Sequence, residues 1–195
     1  DFHAAAACPG ADGAEGVDDD QVSRVRLRPG AGLRPAGLFG GTFDPVHEGH
    51  LRLADAAWRG GAVREVVFVP SGTPPHKPAP RASAAHRLEM LRLALAGRRY
   101  CRVDDSEIGL ESPRYTHDTI AAAKRFYGGK GVAFLMGQDA FRDMGDWRMG
   151  YRLLDLCPFF VALRGSVGNM PAGVRARVQW IPMRAAPPSS TEIRA

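Results

Sequence analysis

Two histidines, His47 and His50, lie three residues apart, shortly after a pair of glycines, Gly40 and Gly41. Imidazole donates a directional hydrogen bond and can carry positive charge near neutral pH, which suits the charge that develops on phosphoryl oxygens. At a helix start this spacing puts both rings on one face, and the glycines let a ligand approach the backbone closely. The stretch therefore predicts a site for a phosphate-bearing ligand.

Two other interpretations of the histidine pair stay open. A pair at this spacing could ligate zinc, although no third histidine, cysteine or carboxylate follows at a matching spacing. The pair could also be chance surface histidines, which the neighbouring glycines disfavour. Neither a GxxxxGK[ST] loop nor a GxGxxG fingerprint is present here, so any phosphates must be bound by other groups.

Residues farther along the chain have the chemistry of a nucleotide site, and each has a structural alternative. Gly137 and Asp139 follow an apolar segment, where the carboxylate could accept hydrogen bonds from ribose hydroxyls or cap a helix. Ser190, Thr191 and Arg194 should open a short terminal helix that receives phosphates, or one that is merely capped. A helix this short needs tertiary contacts or a ligand to hold it.

Three more residues are candidates for ligand contacts, and each of them also has a structural alternative. Lys77 lies in a proline-rich loop, as a rigidly mounted charge for a carboxylate or phosphate, or as a solvated lysine. Thr116 follows Pro113 and is a candidate helix N-cap. Trp147 could stack on a planar ring, although its residue type alone favours the core.

Short apolar segments predict the strands that must position these residues. Six are found, namely Ala36 to Gly40, Glu65 to Val69, Tyr100 to Val103, Val132 to Met136, Phe159 to Leu163 and Val178 to Pro182. Between them apolar residues recur at helical spacing, as in Leu51, Ala54 and Trp58, in Leu88, Leu91 and Leu95, and in Ile120, Ala123 and Tyr127. We predict an α/β fold with a Rossmann-like, doubly wound and mostly parallel sheet of about six strands. Ligands of such sheets bind at the carboxyl ends of the strands.

Length and composition agree with one globular domain. The chain has 195 residues, 45% of them hydrophobic and 24% charged, which excludes a fibrous or wholly disordered protein. We predict a disordered N-terminal extension over residues 1–34, with an edge strand at Val22 to Leu27 as the alternative, and the folded, functional domain over 35–195. No apolar run approaches the ~20 residues that span a bilayer, and no signal peptide pattern is present. Together with three scattered cysteines, this predicts a cytoplasmic protein that binds no membrane.

The net charge of +5 suits an anionic partner but does not identify it. Only three of the 26 basic residues are lysines, so the excess of arginine could reflect composition rather than function. The arginines form no cluster on one helix face, and we therefore expect no nucleic-acid partner.

Seven segments, in order, are similar to motifs of the nicotinate mononucleotide adenylyltransferases, within the HxGH nucleotidylyltransferase superfamily. The stretch Gly40 to His50 resembles the GGTFDPxHxGH signature. The others are Pro70 to Lys77 (PxxxPPHK), Arg87 to Leu91 (the following helix), Tyr115 to Thr119 (YTxDT), Met136 to Asp139 (GxD), Trp147, and Ser189 to Arg194 (SSTxIR). Arg114 departs from the family, which often has serine there, and this leaves local substrate contacts open.

The resemblance implies adenylyl transfer from ATP to nicotinate mononucleotide, which gives nicotinate adenine dinucleotide (deamido-NAD) and pyrophosphate in NAD biosynthesis. It implies catalysis by His47 and His50, Mg²⁺ as the companion of ATP, and no metal held by the protein. The implied ATP-binding residues are Gly40, Gly41, Thr42, Phe43, His47, His50, Gly137, Asp139, Ser190, Thr191 and Arg194. The implied mononucleotide-binding residues are Asp44, Lys77, Tyr115, Thr116 and Trp147.

Other functions and properties stay open. The chain could transfer adenylyl to nicotinamide mononucleotide or phosphopantetheine, or could bind nucleotides without catalysis. Both substrates are expected to be small molecules, and a homo-oligomer is neither indicated nor excluded.

Overall fold

The computed structural model describes residues 34–72, 79–110, 112–128, 131–165, 172–183 and 189–195. The extension predicted over residues 1–34, with the alternative strand inside it, lies outside this range except for Arg34. Lys77 and most of the proline-rich loop around it also lie outside the described residues. The predictions for them are therefore not tested by the fold.

The described residues form a six-stranded sheet in which all neighbouring strands are parallel. The strands are Ala36–Gly41 (β1), Glu65–Pro70 (β2), Cys101–Val103 (β3), Val132–Gly137 (β4), Phe159–Leu163 (β5) and Gln179–Pro182 (β6). The predicted α/β, doubly wound fold is confirmed, and all six predicted segments match a strand to within a residue at each end.

Helices follow most of the strands. They are Glu48–Arg59 (α1), Ala84–Leu95 (α2), Thr116–Tyr127 (α3), Gln138–Asp143 (α4), Ala172–Arg175 (α5) and Ser190–Ile193 (α6), with 3-10 turns at Met144–Asp146 and Gly150–Asp155. None of the helices described here is long and apolar enough to cross a membrane.

The strand order β3-β2-β1-β4-β5-β6 puts the topological switch point between β1 and β4. The chain moves from β1 to one edge of the sheet and then returns to β4 to build the other half. Crossover helices leave β1 and β4 in opposite directions, which opens a crevice at their carboxyl ends. Both strands end in glycine, at Gly41 and Gly137, so a ligand in the crevice can approach the backbone closely there.

Two apolar clusters pack on the two faces of the sheet. Consecutive residues of β1 point to opposite faces, so Phe39 belongs to one cluster and Leu38 to the other. Gly37 belongs to the same strand, and a Cβ there would lie 2.6 Å from the side chain of Leu135 on β4. The sheet is therefore buried on both faces, and its edge of carboxyl ends is the part left for a ligand.

Helix α2 buries a charged residue in addition to its predicted apolar positions. Arg87 is 1% exposed and donates from its guanidinium to the carbonyls of Thr42, Ser71 and Gly72, at 2.6, 2.8 and 2.9 Å. These carbonyls belong to the loops that follow β1 and β2. Arg87 therefore joins the two loops of the crevice through hydrogen bonds to their carbonyls. Burial lowers the pKa of its guanidinium.

Candidate active site

The two histidines cap the start of α1 reciprocally. His47 is the N-cap residue, and its Nδ1 accepts a hydrogen bond from the backbone N–H of Gly49 at 3.1 Å. The Nδ1 of His50 accepts from the backbone N–H of His47 at 3.2 Å. The ring centroids lie 3.7 Å apart, which confirms that the pair shares one face of the helix start.

This capping determines which nitrogen of each neutral ring carries the proton. A backbone N–H can only donate, so each Nδ1 must be unprotonated and each Nε2 must carry the hydrogen. Burial, reinforced by the positive charge of Arg164, lowers the pKa of His47 below its ordinary value. His47 is therefore a neutral hydrogen-bond donor at neutral pH rather than a fixed positive charge.

The turn between β1 and α1 packs closely against aromatic rings, which bears on its two glycines and on Phe43. Phe43 adopts a positive φ of 49°, which is uncommon for a residue with a side chain, and its ring lies 5.0 Å from that of His50. A Cβ on Gly41 would approach that phenyl ring to 3.0 Å, and one on Gly40 would approach Phe134 equally closely. Packing at both glycines is therefore tight, and a side chain at either position would push the facing phenyl ring aside by a few tenths of an ångström.

Arg164 is a site residue that sequence reasoning missed. It follows β5, lines the same cleft as the histidines, and its guanidinium passes over Gly49, where a Cβ would lie 2.6 Å from Nη2. Its Nε is buried without a hydrogen-bond partner among the described residues. A guanidinium here supplies positive charge beside His47, and the strand-end position was the only signal for it in the sequence.

All of the predicted ATP-binding residues line one large open cleft at the carboxyl ends of the strands. They are Gly40, Gly41, Thr42, Phe43, His47, His50, Gly137, Asp139, Ser190, Thr191 and Arg194. Asp139 lies in the first turn of α4 with its side chain 77% exposed, 3.6 Å from Arg142. The N-cap of α4 is Gly137, so the alternative that Asp139 caps this helix is wrong.

The terminal helix α6 is docked on the turn after β1. Its N-cap Ser189 exchanges capping hydrogen bonds with Glu192, and the hydroxyl of Ser190 donates to the carbonyl of Pro45 at 2.9 Å. Arg194 donates to the carbonyl of Asp44, and its own carbonyl accepts from Arg81 at 3.1 Å. These tertiary contacts supply the support that a four-residue helix requires.

Asp44 is largely committed to contacts within the protein. Its carboxylate accepts from the backbone N–H groups of Arg81 and Ala82 at 2.8 and 3.1 Å, and lies 3.8 Å from the guanidinium of Arg194. Burial alone would raise its pKa, but these hydrogen bonds and positive charges outweigh burial and lower it. Asp44 lines the large cleft rather than the cavity that holds Tyr115, Thr116 and Trp147.

A second, smaller cavity contains Tyr115, Thr116 and Trp147 in its wall. Helix α3 begins at Thr116 itself, and Tyr115 occupies the N-cap position without a side-chain capping bond. The expectation that Thr116 is the N-cap is therefore wrong, since the chain enters the helix one residue earlier. Trp147 packs partly on the apolar cluster of its face and also lines both cavities.

The two cavities adjoin at a shared wall. Gly40, Gly41, Thr42, Ala140 and Trp147 line both of them. A ligand in the large cleft and a ligand in the smaller cavity would thus meet across the Gly-Gly turn. The histidine pair lies on the large-cleft side of this junction.

Charged residues of the smaller cavity were not identified from the sequence as site residues. Arg114 and Glu107 line it, and the guanidinium of Arg148 lies 4.8 Å from the centre of the Tyr115 ring. Glu107 is only 6% exposed. Glu107 and Arg114 lie in the connection before α3, and Arg148 lies further on, beyond β4 and α4, with no motif that joins the three.

No group of three or more His, Cys, Asp or Glu side chains suited to a metal ion occurs within the described part of the chain. The two cysteines in that part, Cys101 and Cys157, are free, and burial raises the pKa of each thiol to about 12. Neither lines the two cavities.

Comparison with known proteins gives the same fold and a consistent set of relatives. A model of the cytidylyltransferase-like family matches residues 38–195. A protein of Serratia proteamaculans named "Probable nicotinate-nucleotide adenylyltransferase" is 41% identical over 128 residues, or 65% of this chain and 58% of its own. One of the same name from Laribacter hongkongensis is 43% identical over 146 residues, or 73% of this chain and 66% of its own. The chain thus spans less than two thirds of the length of either relative.

A solved structure is similar to most of the chain. The nicotinic acid mononucleotide adenylyltransferase of Plasmodium falciparum, in complex with NaAD, superposes with a TM-score of 0.69 at 19% identity. The superposition covers 83% of this chain and 82% of that one. At this identity the likeness concerns the fold.

Proposed function

Since the chain belongs to the cytidylyltransferase-like family, we propose that it transfers the adenylyl group of ATP to nicotinate mononucleotide. The products would be nicotinate adenine dinucleotide and pyrophosphate, a step of NAD biosynthesis. The observation that carries the proposal is the pair of adjoining cavities, one lined by the histidine pair and the other by Tyr115 and Trp147. A reaction between two nucleotides needs two such sites with one meeting point.

ATP would occupy the large cleft. The Nε2–H groups of His47 and His50 would donate to its α- and β-phosphates, with Arg164 beside them as a further positive charge. Ser190 and Arg194 at the docked terminal helix would contact the outer phosphates, and Asp139 would accept hydrogen bonds from the ribose hydroxyls.

Nicotinate mononucleotide would occupy the smaller cavity. The pyridine ring would stack on Trp147, and the amides at the start of α3, at Tyr115 and Thr116, would face its carboxylate. Lys77 remains a prediction for this substrate. For Asp44 we propose a different role from direct binding, namely fixing Arg194 and the backbone of residues 81–82 around the cleft.

The chemistry requires positioning and charge stabilisation rather than a nucleophilic side chain. An oxygen of the mononucleotide phosphate forms a bond to the α-phosphorus of ATP, and the bond from that phosphorus to the bridging oxygen breaks. The bond's electron pair leaves with pyrophosphate, and a phosphate dianion needs no general base. Alignment of two bound reactants can contribute ~7 to 11 kcal/mol to lowering the barrier.

The two histidines suit this reaction. Their Nε2–H groups are oriented by the capping bonds before substrate binds, so they stabilise charge on the phosphoryl oxygens without reorganisation. Mg²⁺ bound to the phosphates of ATP would supply positive charge that offsets the charge on the pyrophosphate leaving group. We also propose a cytoplasmic location, which the free thiols of Cys101 and Cys157 fit.

A pyrophosphate-release assay tests the proposal. ATP would be supplied with nicotinate mononucleotide, nicotinamide mononucleotide or phosphopantetheine in parallel, and the dinucleotide product identified by mass. We expect the fastest release with nicotinate mononucleotide. Faster release with another acceptor would reassign the substrate, and ATP binding without release from any of the three would indicate a noncatalytic nucleotide-binding module.

Two matched variants test which cavity holds which substrate. Tyr115→Ala alters only the smaller cavity and should raise the KM for the mononucleotide while leaving the KM for ATP near its original value. Asp139→Ala alters only the large cleft and should do the reverse. If both variants raised the same KM, the assignment of the two cavities would be wrong.

A further inference from the structure

Glu107 is the single acidic side chain among the described residues that line the smaller cavity. It lies between β3 and α3 and is 6% exposed. The hydroxyl of Thr119, which lines the same cavity, donates to Oε1 of Glu107. The hydrogen bond fixes the carboxylate at the cavity wall.

A charge at this position is costly for the fold. Burial raises the pKa of Glu107, while the hydrogen bond from Thr119 and the positive charge of Arg114 act in the opposite direction. A glutamine would fill the same volume without that penalty. Buried carboxylates of this kind concentrate at functional sites, where the charge has a use.

The positive groups around the cavity suggest that use. Arg114 lines the cavity, and Arg148 lines it above the ring of Tyr115. Two guanidinium groups attract the anionic parts of a ligand but repel a cationic one. Glu107 counters that repulsion within the cavity itself.

Nicotinate mononucleotide has charges of both signs in its base. The ring nitrogen bonded to ribose carries a permanent positive charge, and the carboxylate on the ring is negative. Resting on the proposed function, we propose that Glu107 is a specificity-determining residue that recognises the positive charge of the pyridinium ring. Arg114 and Arg148 favour the negative groups of the same ligand, and the aromatic ring of Trp147 accommodates a flat cation.

The test compares two ligands that differ in ring charge. Nicotinate mononucleotide and its 1,4-dihydro form have the same carboxylate, ribose and phosphate, but the dihydro ring is neutral. Their dissociation constants would be measured by calorimetry on the wild-type chain, Glu107→Gln and Glu107→Asp. Glu89→Gln is the matched control, because Glu89 is an exposed glutamate on α2 outside both cavities.

We expect the wild-type chain to prefer the charged ring and Glu107→Gln to lose about tenfold of that preference, the scale of one charge interaction in a partly screened site. Glu107→Asp should retain the preference even if it binds both ligands more weakly, and Glu89→Gln should match the wild type. A merely structural glutamate would weaken both ligands equally and leave the ratio unchanged.

Failure of this inference is distinguishable from failure of the proposed function. Equal affinity of the wild-type chain for both ligands overturns the inference without any variant having to fold. An unchanged ratio of the two dissociation constants in Glu107→Gln also overturns the inference. In either case, pyrophosphate release with nicotinate mononucleotide would still support the proposed function. A wild-type chain that neither binds the mononucleotide nor releases pyrophosphate overturns both.

Discussion

The guanidinium of Arg194 contacts both the backbone carbonyl and the carboxylate of Asp44, with Nη1 lying 3.8 Å from Oδ2. A residue of the terminal helix is thereby fixed to the turn that precedes the histidine pair. The carboxylate that attracts Arg194 also accepts two backbone hydrogen bonds from the segment before α2. Asp44 therefore joins three parts of the chain at the edge of the large cleft.

Asp44→Asn should destabilise the protein at neutral pH. An amide cannot accept on both sides as the carboxylate does, so one backbone N–H loses its partner, at a cost of about 1 to 3 kcal/mol in the free energy of unfolding. The folded-state pKa of Asp44 is lowered from 3.8, so its stabilisation is present above that pH and is lost as pH falls through the folded pKa. The free energies of unfolding of the wild type and of Asp44→Asn should therefore converge at acidic pH.

Urea denaturation at a series of pH values measures this difference. Asp143→Asn is the control, because Asp143 is exposed and makes no side-chain capping bond. A stability gap between wild type and Asp44→Asn that persisted unchanged in acid would contradict the assigned contacts.

Two substitutions of His50, by asparagine and by glutamine, separate its role as a catalytic donor from its role as a capping acceptor. His50→Ala should keep the fold and slow turnover by roughly 10² or more, but it removes both functions of the ring. His50→Asn keeps an acceptor near the position of Nδ1 and loses the distal N–H, so it should lose turnover with little loss of stability. His50→Gln keeps a distal N–H and loses the cap, so it should retain more turnover and cost about 1 kcal/mol of stability.

Single-turnover rates and thermal unfolding distinguish these outcomes. If a folded His50→Asn turned over at the wild-type rate, donation from Nε2 would have no part in the mechanism.

Much of the fold could be predicted because the strands are short apolar runs with clear ends. Phe159–Leu163 was predicted to the residue, and the first, second and fourth strands extend only one residue further. Val178 was predicted to begin the last strand, but pairing with β5 begins at Gln179. The doubly wound order follows from the alternation of strands and helices.

The local motifs could also be placed, whereas the long-range electrostatics could not. The capping pattern of His47 and His50 lies within four residues and is visible as a spacing. Arg87, Arg164 and Glu107 acquire their roles from carbonyls, charges and hydroxyls on distant elements. A hydrophobic pattern within one helix or strand assigns charged residues to the surface. The burial of these three side chains therefore could not be predicted from their own segments.

Arg87→Met should strongly destabilise the protein, although Arg87 lies on α2 and is not one of the residues proposed to contact a substrate. Methionine leaves the carbonyls of Thr42, Ser71 and Gly72 without their buried donor, and loss of a buried charged partner typically costs about 3 to 5 kcal/mol. Arg92→Met on the same helix is the control. Its ion pair with Asp105 has both side chains more than half exposed, so about 0.5 kcal/mol is expected.

Chemical denaturation of the two methionine variants gives the comparison directly. Equal and small losses of unfolding free energy in both would show that Arg87 does not hold the two loops together.

Arg164→Gln should change both ATP binding and the titration of His47. Removing the guanidinium takes away a positive charge that, after burial, lowers the pKa of His47, so the pKa should rise toward the ordinary value of 6.5. Protonation of Nδ1 is incompatible with accepting from Gly49, so turnover falls as pH falls through the His47 pKa. In the variant this acid limb should therefore move to higher pH, and the KM for ATP should rise about tenfold with the loss of a charge-assisted contact.

Histidine Cε1–H resonances followed by NMR against pH, together with a pH profile of kcat, measure these effects on the same samples. Arg52→Gln is the matched control, because Arg52 pairs with Glu48 on the exposed side of α1 and does not line the cleft. A raised KM with an unmoved His47 titration would mean that Arg164 contacts ATP without tuning the histidine. An unmoved KM, measured at a pH well above the His47 titration of both proteins so that added charge on His47 cannot compensate, would exclude Arg164 from the phosphate site.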